Sequence, residues 1–304
     1  MKKLLLFAIM FCGIIVCGVI LTACSSPFSK PVPTAPSPPP TINLSDLDRV
    51  DSSTGAYPMV VAIANNALGT DNSDKILQSS QTVQAIKNVI DGTKDIAIAP
   101  MPGQEQLDYA KQQGVDLDYV HVADNAFVFL VSEDNPVDNL TTQQIKGIYS
   151  GKITNWKQVG GKDAKIAPLQ RNADSGSQTA MVEFMGSQKL MSPITDYTES
   201  TMGFLIAGIT KPFDGTQSAI GYSFLYYVKQ MVDVTGIKLL GVDGVVPSDE
   251  TIIDGTYPDI SPYYAIIRKN DPEDGVAKRW AAYMTSETGQ NVIEQAKYVR
   301  ALLK

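Results

Sequence analysis

Residues 170–179 read Gln-Arg-Asn-Ala-Asp-Ser-Gly-Ser-Gln-Thr. The stretch Ser175-Gly176-Ser177 stands directly before a run with helical patterning, expected at 179–185. A glycine-containing turn that opens a helix leaves backbone N–H groups unpaired, and the helix dipole adds positive potential there. The serine hydroxyls supply further donors. Arg171 adds a planar cation that can grip an oxyanion with two parallel hydrogen bonds. The same pattern would serve an ordinary serine-capped helix with an arginine beside it. The local chemistry therefore permits an anion cradle without requiring one.

Outward from this stretch, short apolar runs alternate with helical segments. Helices are expected at 58–64, 82–91, 105–113, 141–149, 276–284 and 289–295, and strands at 95–99, 127–131, 166–169, 219–222, 237–240 and 263–267. Pro58 suits a first helical turn, Gly92 and Gly114 suit helix ends, and Thr141 with Gln144 forms a capping signal. The alternation predicts α/β layers with mostly parallel sheets. Among the 304 residues, 25 are basic and 32 acidic, and no basic run exceeds two residues. Binding of nucleic acid through phosphate neutralisation is not expected. Any anion site must rely on local donors rather than on bulk charge. The single histidine, His121, has no accompanying nucleophile motif or metal-ligand spacing, so a structural role is expected, with no cofactor, no metal and no enzymatic activity. Trp156 and the pairs Tyr226-Tyr227 and Tyr263-Tyr264 are expected to pack.

The N-terminus carries a separate message. Lys2 and Lys3 precede an uncharged stretch, residues 4–23, which ends Leu21-Thr22-Ala23 before Cys24. Its length suits a bilayer-spanning helix as well as a signal. The cysteine placed directly after Leu-Thr-Ala resembles the lipobox of bacterial lipoprotein signal peptides. That resemblance implies cleavage before Cys24 and a diacylglyceryl group on its sulfur. Cys12 and Cys17 would leave with the signal, so the mature chain would have no other thiol, as suits an oxidising exterior. Residues 25–40 then hold seven prolines and four serines. Such a stretch cannot bury a core and favours an extended stalk with a reach of about 50 Å. After cleavage, 23 basic residues would face 32 acidic ones, a net charge of about −9.

From about residue 50 to 299 the chain resembles the phosphate-binding proteins of ABC importers, within the two-lobed extracytoplasmic solute-binding proteins. The segments that carry the resemblance are 51–58 (Asp-Ser-Ser-Thr-Gly-Ala-Tyr-Pro), 91–96, 129–137, 148–156 (Ile-Tyr-Ser-Gly-Lys-Ile-Thr-Asn-Trp), 170–179 and 219–222, in family order. It implies an α/β, type II periplasmic-binding-protein fold with two hinged lobes. The corresponding division is 1–23 as signal peptide, 24–42 as lipidated cysteine and stalk, 43–132 with 243–304 as the first lobe, and 133–242 as the second. Carried over residue by residue, it implies ligand contacts from Arg171, Ser175, Gly176, Ser177, Thr82, Ser53, Thr54 and Tyr57. Two positions depart from the family pattern. Ala56 stands where a ligating hydroxyl is usual, and Pro100 stands where an aspartate accepts the proton of hydrogen phosphate. The implied role is capture of an oxyanion, phosphate first, by a monomer on the outer face of the cell membrane, for delivery to an ABC permease. The alternative is a relative with an altered or lost ligand that acts as a surface sensor or interaction protein.

Mass spectrometry of the mature N-terminus is expected to find a lipid-modified Cys24, and an unmodified Met1 would overturn that expectation.

Overall fold

A computed structural model describes residues 38–194, 198–199, 202–210 and 217–301. The expected signal peptide, Cys24 and most of the expected proline-rich stalk lie outside the described residues. Among the described residues no helix is long and apolar enough to cross a membrane.

Two sheets form the scaffold. The first is five-stranded, with spatial order Val50–Ser52, Ile96–Ala99, Tyr263–Arg268, Leu117–Asp124, Val299–Arg300. The second is four-stranded, with order Ile237–Leu239, Phe127–Ser132, Gln217–Phe224, Lys165–Pro168. Each sheet has its own core. Ile63, Ile98, Trp280 and Ile293 lie in one, and Phe129, Tyr149, Trp156 and Tyr222 in the other. In the second core Phe127, Phe129, Tyr149 and Tyr222 pack with ring centroids 5.3–6.4 Å apart. Burial of each such ring stabilises the lobe by roughly 1.5–3 kcal/mol. This is the two-lobed periplasmic-binding-protein architecture.

The sheets are mixed rather than mostly parallel. In the first, only Val50–Ser52 and Ile96–Ala99 run parallel; Tyr263–Arg268 inserts antiparallel to both its neighbours. In the second, Lys165–Pro168 and Gln217–Phe224 are parallel, while Phe127–Ser132 is antiparallel to both its neighbours. The reason is topological: the strands that bring the chain into each lobe enter from the opposite end. The expected lobe boundaries shift for the same reason. Phe127–Ser132 pairs within the second sheet, so the outward crossing lies at residues 124–127, not at 133. Leu240, Val242, Ile252 and Tyr257 belong to the second core, so the return lies near residues 259–263, not at 243.

The two crossings run side by side. Phe127 N–H donates to the Asp259 carbonyl (3.0 Å), Ser261 N–H donates to the Asn125 carbonyl (2.8 Å), and Ala126 pairs with Ile260. The buried Asn125 amide adds three bonds. Its Oδ1 accepts from Ala126 N–H (2.9 Å) and Tyr226 N–H (3.1 Å), and its Nδ2 donates to the Tyr263 hydroxyl (3.2 Å).

Asp259 is an ionisable residue of the returning crossing. Its Oδ2 is buried with no hydrogen-bond partner. Burial first, and Glu183 second, push its carboxyl from 3.8 up to about 7, against an opposing pull from Lys146. The folded chain thus holds this proton to a higher pH than the unfolded chain does. The stability it leaves intact below about pH 4 declines as pH rises, until the carboxylate is ionised above about 7. Asp259→Asn is therefore expected to be more stable than the parent chain at pH 8, with the gap closing toward pH 4, in urea denaturation at the two pH values. An equal gap at both would refute the assignment.

Candidate functional site

The helix Gly176–Met185 begins at the cleft between the two sheets. Ser175 caps it, accepting a 3.1 Å hydrogen bond from Gln178 N–H. Opposite stands the start of the helix Thr82–Ile90. The two N-termini meet closely: a Cβ added to Gly176 would lie 2.4 Å from Thr82 Oγ1. Only a glycine permits that approach. Two helix ends of positive potential facing one another repel unless an anion lies between them.

The first-lobe loop is held in an unusual conformation. Gln81 has φ 68° and ψ 171°, a region populated almost solely by glycine, and strain of this kind concentrates at functional sites. The buried carboxylate of Asp51 over-determines the loop. It accepts from Ser52 N–H (2.8 Å), Ser80 N–H (2.9 Å) and Asn88 Nδ2 (2.8 Å). Ser79 Oγ donates to the Ser52 carbonyl at 2.9 Å.

Between the helix ends lies a cavity of ≈ 300 Å³. Arg171 supplies the only formal charge among its lining residues. Its Nη1 donates to Ser177 Oγ at 3.3 Å, and its Nε is buried with no partner. Burial lowers the guanidinium pKa, with Tyr222 and Tyr227 opposing, and the group remains a cation. Its backbone N–H donates to Tyr222 Oη (2.9 Å) and Gln178 Oε1 (3.1 Å), and the Tyr222 hydroxyl donates in turn to Gln178 Oε1. This second layer fixes the arginine relative to the helix start. Asp174 is exposed and makes no ion pair with it among the described residues. Ser53 Oγ is likewise buried without a partner on the opposite wall.

Seven of the eight predicted contact residues line this cavity: Ser53, Thr54 and Thr82 from the first lobe, and Arg171, Ser175, Gly176 and Ser177 from the second. Tyr57 does not. Its hydroxyl points to the carbonyls of Asp74 (3.2 Å) and Leu77 (3.3 Å), because it already belongs to the helix Tyr57–Leu68 and faces that helix's neighbours. Ala56 spends its N–H on the Ser53 carbonyl. Pro100 lines an adjoining cavity that shares Gly176 with the first. Gly55, Gln81, Phe224, Tyr227 and Tyr263 also line it and were not among the predicted contacts. For Tyr227 and Tyr263 packing was favoured over lining the hinge or the cleft, but Tyr263 opens its strand at the cleft edge and Tyr227 follows Phe224, the last residue of a cleft-facing strand. Ligands in open α/β sheets collect beyond such strand ends, which is the signal that could have found them.

The chain is similar to proteins of known family and structure. The PBP superfamily domain model matches residues 49–288. The phosphate-binding protein PstS of Borreliella burgdorferi is 31% identical over 183 residues, 58% of this chain and 63% of that protein, slightly under two thirds of its length. PstS of Bacillus subtilis is 26% identical over 249 residues, 80% of this chain and 77% of that one. A crystal structure from Clostridium perfringens, described as a phosphate ABC transporter substrate-binding protein with bound phosphate, superimposes with TM-score 0.64 at 28% identity over 83% of this chain and 98% of that one. The chain belongs to the PBP superfamily and is similar to PstS phosphate-binding proteins.

Proposed function

We propose that this protein captures an oxyanion, with phosphate the first candidate, and delivers it to the permease of an ABC importer. The observation that carries the reading is the pair of helix N-termini meeting across one buried arginine, with Arg171 Nε and Ser53 Oγ both lacking partners at the cavity wall. Donors without acceptors, contributed by both walls of the cleft, suit a small anion bound between the lobes. The lipid on Cys24 and the proline-rich stalk would hold this receptor, as a monomer, at the outer face of the membrane within reach of the permease.

A second reading rests on one specific feature. No carboxylate lines the cavity among the described residues, and Pro100 occupies the position where the family resemblance expects one. A carboxylate reads the proton of hydrogen phosphate, since it only accepts when ionised. Its lack favours a relative with altered ligand preference, or one that senses rather than transports.

Isothermal calorimetry separates these readings. Arg171→Ala is expected to weaken phosphate binding by at least about 100-fold, the loss of a buried charge-assisted contact. A parent chain that gives no heat with phosphate, sulfate or related anions would leave the second reading. Pro100→Asp is expected to raise the preference for phosphate over sulfate, and an unchanged ratio would refute the role given to that turn.

A further inference from the structure

A tetrahedral oxyanion needs the room of about two water molecules, on the order of 60 Å³. The cavity measures ≈ 300 Å³, a size at which pockets begin to hold small organic molecules. Part of its wall is aromatic. Phe224 and Tyr263 lie there with centroids 6.5 Å apart, and Tyr227 stands beside them, close enough to Arg171 to act on its charge. Phe224 and Tyr263 are buried in the scaffold, so this wall is a fixed surface.

Donor chemistry points the same way. Among the described residues, the polar side chains lining the cavity are the Arg171 guanidinium, hydroxyls and the Gln81 amide. None is a carboxylate, the acceptor-only group. Inorganic hydrogen phosphate brings a P–OH that calls for an acceptor. A monosubstituted phosphoryl group in its dianionic form brings three acceptor oxygens and no donor; a phosphomonoester reaches that form with a second pKa of about 6, a phosphonate at higher pH. Its fourth substituent points away from the three oxygens and needs an apolar place to go.

We infer that the cleft takes monosubstituted phosphoryl anions, phosphomonoesters or phosphonates with a small apolar or aromatic substituent, which lies against Phe224, Tyr227 and Tyr263. This rests on the oxyanion-receptor reading and narrows it. Rings flanking such a substituent add stacking and burial that the free ion cannot gain.

The test is calorimetry on the full soluble body with five probes: inorganic phosphate, sulfate, methyl phosphate, methylphosphonate and phenylphosphonate. The expected result is that phenylphosphonate and at least one methyl compound bind as tightly as phosphate or more tightly. The two methyl compounds distinguish an ester from a phosphonate. Tyr227→Leu, which keeps apolar bulk but loses the ring face, is expected to reduce the phenylphosphonate-to-phosphate affinity ratio about 3- to 10-fold. Tyr227→Phe is expected to preserve the ratio, which separates loss of the ring from a folding defect. Phosphate binding with all three substituted anions at least 100-fold weaker would overturn this inference and leave the receptor reading standing. Sulfate binding tighter than any substituted anion would overturn it too. No binding of any probe would overturn both.

Discussion

Asn125 sits where the chain passes from one sheet to the other, and much of the molecule depends on how that passage is tied. Its amide bonds Ala126 in the outward crossing, Tyr226 at the base of the cleft, and Tyr263 at the start of the returning strand. Backbone bonds between the crossings, Phe127 to Asp259 and Ser261 to Asn125, hold them as a two-stranded ribbon. A ribbon of this kind bends more readily than it shears, because its hydrogen bonds survive small changes in φ and ψ at either end. Paired crossings of this kind are where hinge motion between lobes is accommodated. A buried amide held by three hydrogen bonds fixes the geometry of the crossings more closely than apolar packing would.

Closure brings together groups that neither lobe can satisfy alone. The first lobe stores strain at Gln81 and holds it with the buried Asp51 carboxylate. The second buries a cation at Arg171, without a carboxylate to neutralise it. Each is unfavourable in isolation, and an anion bound between the helix ends would offset the unneutralised charge of Arg171. Free energy withheld from the scaffold in this way would become binding free energy in such a complex. Gly176 makes the geometry possible, since any side chain there would strike Thr82.

The aromatic wall and the hinge share residues. Tyr263 touches the cavity, the Asn125 amide and the close-packed Gly55, while Tyr226 stacks on Tyr298 at a centroid separation of 3.6 Å. A ligand that presses on Tyr263 therefore presses on the hinge. Asp259 sits on the other side of the same ribbon, beside the cavity that holds Pro100, and carries a carboxyl whose ionisation is opposed by burial and by Glu183.

Much of this was legible before any coordinates. The Ser-Gly-Ser turn after Arg171, the helix caps at Thr141 and Gly114, and the buried strand at 127–131 are local signals, set by hydrogen-bonding capacity and side-chain periodicity within a few residues. The motif order fixed the two-lobed class and seven cavity residues, because each motif carries its own backbone geometry. Tertiary structure alone decided what depends on residues distant in sequence. It set the antiparallel insertion of Tyr263–Arg268 and the crossing at residues 124–127, since strand pairing is a choice among partners, not a property of one segment. It turned Tyr57 away from the cleft and Tyr227 and Tyr263 toward it, since a tyrosine suits either a packed or a ligand-facing position equally well. It also left Arg171 Nε and Ser53 Oγ without partners, a fact about what is missing around an atom that no string of residues records.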